Sequence, residues 1–212
     1  MRFSPVILAL AAMAFPLGAA AQAPSPTVLI PGGEYTSFYP AAVSAPSEAV
    51  PERKTKVAAF QMDVHPVTNA QFLAFVREDP TWRRGAAPAL FADAGYLRHW
   101  SGPDDLGVSA GGDQPVVHVS WFAARAYCRA NGGRLPTEDE WEFVARADTE
   151  TLDASDDPQF LQTILAFYGR PRTAALAAVG RAPANAWGLH DIHGLVWEWS
   201  CSTAPASTRA PS

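Results

Sequence analysis

Fifteen residues from Asn185 to Trp199, Asn-Ala-Trp-Gly-Leu-His-Asp-Ile-His-Gly-Leu-Val-Trp-Glu-Trp, gather three tryptophans, two glycines and two carboxylates. No 3.6-residue period runs through the stretch, and Gly188 and Gly194 punctuate it where a chain turns. Asp191 and Glu198 stand seven residues apart with Gly194 between them. A turn at that glycine would bring both carboxylates and several backbone carbonyls around one point. Oxygen-only donors suit a hard cation, and calcium accepts carbonyl oxygens readily. The spacing is much less specific than an EF-hand loop, so a structural reading stands beside it: tryptophans in the core, glycines in turns, acids facing water. His190 and His193 leave a third reading open, since with Asp191 they could hold a softer metal such as copper or zinc.

Other residue types capable of chemistry are less directive. Glu138, Asp139, Glu140 and Glu142 crowd one short segment, which raises paired acid/base work. Their place in a capped first helical turn is better explained by the helix dipole and by salt bridges. Cys128 falls in a helical pattern and Cys201 comes just after Trp-Glu-Trp, and the sequence does not place their sulfurs within bonding distance. His65, beside Pro66, reads as a turn residue because no second ligand stands at metal spacing nearby. Tyr96, His99 and Trp100 lie in a loop-rich stretch from Trp82 to Asp113, where they would either line a groove or pack.

The elements that must position these groups are legible from punctuation. Val28 to Tyr35 predicts an apolar strand running into a glycine turn, and Val57 to Phe60 predicts another strand, with an exposed Pro/Ala/Ser-rich loop from Pro40 to Lys56 between them. Thr68 and Gln71 form a capping box ahead of a helix whose buried face carries Phe72, Phe75 and Val76. Gln114 to Trp121 predicts a short strand that delivers Ser120 as the N-cap of a helix ending near Asn131, before Gly132 and Gly133. Pro136 prevents continuation, Thr137 and Glu140 make a second capping box, and Trp141, Val144 and Ala145 would face the core. Pro158 opens a further helix through Tyr168, with Phe160, Ile164, Leu165 and Phe167 as its apolar positions.

Composition bounds the rest. The 212 residues are 48% hydrophobic and 17% charged, which suits one domain with an ordinary core. A net charge of −5 and a pI near 5.5 leave no basic footprint, which argues against nucleic acid as a partner. Arg2, the apolar run from Pro5 to Leu17 and the small residues up to Ala21 read as a secretory signal peptide over residues 1–21, too short in its apolar part to span a bilayer. The expected organisation is therefore signal peptide 1–21, linker 22–27, a domain over 28–199 and a low-complexity tail over 200–212. The mature chain is expected to be periplasmic or secreted, with no membrane attachment after cleavage.

Two ordered patterns carry a resemblance. Asn-x-x-Gly-Leu-x-Asp-Ile-x-Gly-x-Val-Trp-Glu-Trp resembles the hallmark of the formylglycine-generating enzyme family, also called sulfatase-modifying factors. Pro-Val-x-His-Val-Ser-Trp, Ala-Tyr-Cys and Gly-Arg-Leu-Pro-Thr-Glu-x-Glu-Trp-Glu-Phe-x-Ala-Arg resemble the same family in the right order, as does Pro-Val-Thr-Asn-x-x-Phe before the first helix. The resemblance implies an irregular α+β fold similar to C-type lectin domains, with little regular secondary structure, which suits a chain with 15 glycines and 19 prolines. It also implies calcium held by the side chains of Asp191 and Glu198 and the backbone carbonyls of Gly194 and Val196. Leu195 stands where most members have Asn. The segment from Asp148 to Tyr168 departs from the Asn-containing loop that builds another calcium site in many members, so that site is not carried over.

The family's best-known activity is oxidation of a sulfatase cysteine to formylglycine, with oxygen and a copper(I) ion between two cysteine thiolates; soft thiolates suit Cu(I). Those cysteines lie, in the family, in an Arg- and Gly-rich segment after Trp-Glu-Trp. The residues after Trp199 resemble none of that segment, and Cys128 matches a structural position. No catalytic residue is assigned, copper is expected only if a full-length protein carries the missing pair, and the domain is expected to be incomplete. The leading expectation is an exported maturation or binding factor for another exported protein or peptide, with oxidase activity impaired or absent. The alternatives are a copper-dependent formylglycine-generating oxidase and a truncated, non-functional product. Relatives that build ergothioneine or mature siderophores show how far the chemistry varies, and a shared fold does not transfer an activity.

Overall fold

Thr68 ends an extended run and starts the first long helix. Its backbone is extended, at φ −85° and ψ 161°, and its hydroxyl accepts from the Gln71 amide at 3.2 Å while the Gln71 side chain accepts from the Thr68 amide at 2.8 Å. The computed structural model describes residues 25–37, 54–169 and 176–202. The expected signal peptide, most of the linker, the loop up to residue 53 and the tail from 203 onward lie outside the described residues.

Four short strands precede that helix: β1 (Thr27–Ile30), β2 (Gly33–Thr36), β3 (Lys54–Val57) and β4 (Phe60–Asp63). β1 pairs antiparallel with β4 and β2 with β3, and one register runs through both ladders, from Thr27 opposite Asp63 to Thr36 opposite Lys54. The apolar strand running into a glycine turn that the sequence predicts from Val28 is β1 with the break at Pro31-Gly32; beyond it the chain resumes as β2, and the opposite side of the ribbon is interrupted at Ala58-Ala59. Pro31 has no amide to donate. Gly32 sits at φ 78°, and a methyl there would come within 2.7 Å of the Ala58 carbonyl carbon, so only glycine admits this approach. The same interruption corrects the strand expected at Val57 to Phe60, whose two ends belong to β3 and β4. Lys54 to Lys56, expected in a loop, are part of β3.

Four α-helices follow among the described residues, α1 (Asn69–Glu78), α2 (Trp121–Ala130), α3 (Glu138–Ala145) and α4 (Pro158–Tyr168), with a 3-10 turn at Pro80–Trp82 after α1. Ser120 caps α2 by accepting from the Ala123 amide at 3.2 Å. The strand expected at Gln114 to Trp121 is not formed: Pro115 makes an isolated bridge with Thr68, and His118 turns into the left-handed region at φ 55°, which breaks the extended run.

The apolar side chains collect in two clusters. Phe72, Phe75 and Val76 of α1 meet Ala123 and Tyr127 of α2 and the loop residues Tyr96, Leu97 and Trp100. Ile30, Tyr35 and Val57 of the ribbon meet Phe143 to Ala145 of α3 together with Leu189 and Ile192. Trp100 is therefore a packing residue and fully buried, whereas Tyr96 packs in the core and also borders a cleft. No residue of α4 is buried; Leu165, one of its expected apolar positions, is 67% exposed. The mixed α+β architecture is held mainly by these clusters and by loop hydrogen bonds, with little regular structure around residues 83–119 and 176–200.

Candidate functional site

Asn185 builds the turn that carries the two carboxylates. Its Oδ1 accepts from the amides of Trp187 (3.0 Å) and Leu189 (3.1 Å), and its Nδ2 donates to the Val144 carbonyl on α3 at 3.1 Å. This is an Asx-type local bond that replaces regular structure and docks the turn on a helix. The His190 amide then donates to the carbonyl of Val64 just past β4, and Leu189 and Ile192 fill the second core.

Asp191 comes next, at φ 61°, a left-handed conformation that Asp tolerates better than most residues. It is buried, and its Oδ2 accepts from the Gly180 amide at 2.6 Å. Gly194 turns the chain again at φ 105°. Beyond it Trp197 and Trp199 point outward, 68% and 48% exposed, whereas Glu198 between them turns inward and accepts from the Trp141 indole at 2.7 Å. Burial pushes the Glu198 carboxyl up to about 7, the Asp191 charge adds to the rise, and the Trp141 bond opposes it.

The seat thus brings together the two acids singled out by spacing, near enough for one charge to act on the other. Two inward carboxylates with such a repulsion suit a hard divalent cation, which would neutralise both. Gly194 and Val196 lie on the loop that joins them. The rings of His190 and His193 each commit one nitrogen to a backbone carbonyl, of Ala182 and Ala145, at 2.7 Å. Among the described residues no three His, Cys, Asp or Glu side chains gather around one point, so a cation at Asp191 and Glu198 would draw its other donors from backbone carbonyls.

The acids of α3 are structural. Glu140 closes the capping box with Thr137 and takes a two-pronged bond from Arg134 at 2.5 and 2.6 Å; burial alone would raise its carboxyl, but Arg134 and the cap hold it below the usual range. Glu142 is buried and accepts from Tyr35 at 2.9 Å and Ser37 at 2.7 Å. It serves the packing of α3 on the ribbon. His65 bonds the Pro66 carbonyl with Nδ1 at 3.0 Å, as a turn residue would.

Both cysteines are free thiols. Burial pushes the Cys128 thiol up to about 11, away from the thiolate that binds soft metals. Cys201 is tied by its backbone to the start of α3, its amide donating to the Pro136 carbonyl and its carbonyl accepting from the Glu138 amide. Among the described residues there is no thiolate pair.

A cleft of about 510 Å³ opens beside Trp199. Its apolar walls are Leu90, Phe91, Trp121, Phe122 and Trp199, with Asp93, Arg98 and His118 on its polar side. Phe91 and Phe122 meet at 4.9 Å between ring centroids and Trp121 and Phe122 at 5.4 Å. The indole of Trp199 is fixed by donating to the Val119 carbonyl at 3.0 Å, and that of Trp121 by donating to the Ser200 carbonyl at 2.9 Å. Neither Cys128 nor Cys201 lines it. Phe91 falls in the Trp82 to Asp113 stretch that the sequence leaves open between groove and packing, and Phe122 is not found from the sequence, its only signal being an apolar residue on the outer face of a short capped helix. A second cavity, of about 330 Å³, lies between α4 and the carboxylate turn, with Phe160, Asp191 and His193 in its lining.

Comparison with known proteins bears on the chain as a whole. A family model described as a sulfatase-modifying factor enzyme 1-like domain matches residues 15–208. The formylglycine-generating enzyme of Mycobacterium tuberculosis is 34% identical over 223 residues, covering 81% of this chain and 72% of the relative. The inactive C-alpha-formylglycine-generating enzyme 2 of Mus musculus is 31% identical over 217 residues, covering 83% and 68%. The solved structure of PvdO from Pseudomonas aeruginosa superposes with a TM-score of 0.50 at 22% identity, over 82% of this chain and 69% of that one; this likeness concerns the fold alone.

Proposed function

This chain belongs to the sulfatase-modifying factor family, and from that premise we propose that it is an exported binding or maturation factor for another exported protein, with the family's oxidase chemistry impaired or absent. The observation that carries the reading is the cleft beside Trp199, whose walls are aromatic. Rigid aromatic surfaces with a few polar groups hold polypeptide segments well. The relatives include proteins named as active and as inactive enzymes, so family membership alone does not decide between binding and oxidation.

Export rests on Arg2 and the apolar run after it. No helix among the described residues is long and apolar enough to cross a membrane. Calcium is assigned to the side chains of Asp191 and Glu198 with the carbonyls of Gly194 and Val196. Its positive charge would lock the turn between α3 and Trp199, the wall of the cleft, without taking part in chemistry.

The test mixes the purified chain, supplied with calcium and copper(I), with cysteine-containing peptides. Binding is measured by calorimetry, oxygen uptake by electrode and the peptide by mass spectrometry. The expected result is binding without oxygen uptake, weakened by Phe122→Ala. Formation of an aldehyde from the peptide cysteine overturns the reading in favour of the copper-dependent oxidase, and absence of any peptide binding overturns it outright.

A further inference from the structure

The polar side of the cleft offers a cation whose donors are not consumed. Arg98 is exposed and donates Nε–H to His118 Nε2 at 3.3 Å, so the imidazole accepts there. Burial and the Arg98 charge lower the His118 pKa, which agrees with a neutral ring. The Nη1 and Nη2 atoms of Arg98 make no hydrogen bond or ion pair among the described residues. Asp93, the acid on the same rim, turns its Oδ1 onto the Gly95 amide at 2.7 Å.

The backbone beneath is unusual. Leu97 and His118, neither of them glycine, stand at φ 49° and 55°, and the Leu97 amide donates to the His118 carbonyl at 2.8 Å. Left-handed backbone at bulky residues persists only where the surroundings over-determine it, and such positions gather at functional sites. Here Leu97 is fully buried, and the clamp holds Arg98 and His118 side by side on the rim.

We infer that this rim binds a side-chain carboxylate: an acidic residue of a bound polypeptide, flanked by an aromatic or large aliphatic residue that lies on Phe91, Phe122 and Trp199. A guanidinium with both Nη atoms free matches a carboxylate in two-pronged fashion, and the aromatic walls take the apolar neighbour. A chain-terminal carboxylate is captured by a nest of backbone amides. The amides of Gly95, Tyr96, Leu97 and Arg98 are all donated within the loop and to His118, which leaves the Arg98 side chain as the donor. The inference rests on the cleft being a polypeptide-binding site.

Calorimetry with three peptides tests it: acetyl-Phe-Asp-Phe-amide, acetyl-Phe-Asn-Phe-amide and acetyl-Phe-Asn-Phe with a free C-terminal carboxylate. The Asp peptide should bind at least tenfold more tightly than its Asn twin, with the advantage shrinking as salt rises. Arg98→Gln should abolish the advantage and Arg98→Lys retain part of it, with thermal melts of both variants matching the parent protein. Equal binding of the Asp and Asn peptides, retained preference in Arg98→Gln, or tightest binding of the free-terminus peptide each overturns the inference. Phe122→Ala separates the two levels. If Asp and Asn peptides bind equally and both weaken in Phe122→Ala, the cleft stands and only the carboxylate assignment falls. If no peptide binds, or Phe122→Ala changes nothing, both fall.

Discussion

Asn69 shows how much of the loop-rich half hangs on one amide. It is buried at the start of α1; its Nδ2 donates to the Gly111 carbonyl at 3.0 Å, and its Oδ1 accepts from Trp100 Nε1 at 2.9 Å and His99 Nε2 at 3.1 Å. Because His99 donates through Nε2, its neutral form has a bare Nδ1, which is buried without a partner. Burial depresses the His99 pKa from 6.5 to about 4, with His118, Arg84 and Arg98 adding repulsion. The folded protein therefore binds this proton less readily than the unfolded chain. Stability from the neutral ring is complete above about pH 6.5 and is lost as pH falls towards 4, where the loss levels off. His118 and His193 are shifted down as well, so the parent protein carries a background slope in the same sense. Replacement His99→Gln, which keeps an amide donor for Asn69, should flatten the fall in urea midpoint between pH 6.5 and 4.5 relative to the parent. Parallel pH profiles for the two proteins would show that His99 is not the group responsible. This role was not legible in the sequence, where His99 read equally as groove or packing, because its partner Asn69 is 30 residues away.

At the scale of elements, α3 joins the two halves of the site. The Thr137 hydroxyl accepts from the Glu140 amide at 3.0 Å, and Glu140 returns a bond to the Thr137 amide at 2.8 Å. Cys201 pairs with Thr137 as a parallel bridge, and Trp141, one turn on, reaches Glu198. Loss of the cap in Thr137→Ala should lower unfolding free energy by about 1 kcal/mol. It should also loosen the Trp-Glu-Trp segment, visible as faster amide exchange at Cys201 and Glu138. An unchanged unfolding midpoint would argue that the bridge, not the cap, sets the start of α3. Helix starts of this kind were legible because a cap, its box partner and a flanking proline or glycine lie within four residues of one another. The strands were not, because their limits depend on the partner: nothing local says that Pro31-Gly32 faces Ala58-Ala59 across a broken ladder. The run at Gln114 to Trp121 has strand composition and fails as a strand at His118, whose left-handed turn is fixed by Leu97 from a distant loop.

For the molecule as a whole, the carboxylate turn was legible and the cleft was not, for one physical reason. Asp191 and Glu198 are brought together by turns within their own segment, whereas Phe91, Phe122 and Trp199 come from three segments that only the tertiary fold assembles. The calcium assignment links these regions, since Glu198 lies between the outward Trp197 and Trp199 and beneath Trp141 of α3. Without a cation, the turn must hold Asp191 and Glu198 near each other with one carboxyl shifted towards its neutral form. With a cation, both would ionise and the turn would be pinned. A ligand that binds only the folded state adds about 2.7 kcal/mol at a concentration one hundred times its dissociation constant, and each kcal/mol moves the melting temperature of a domain this size by about 2–4 °C. Calcium should therefore raise the melt by several degrees and a chelator should reverse it, while magnesium, which demands tighter octahedral geometry, should do much less. Asp191→Asn and Glu198→Gln should each remove most of the calcium response, and the parent protein should bind cleft peptides more tightly with calcium than with chelator. A parent melt that ignores both calcium and chelator would remove the ion from the fold, leaving the Gly180 and Trp141 bonds as what holds the two acids in place.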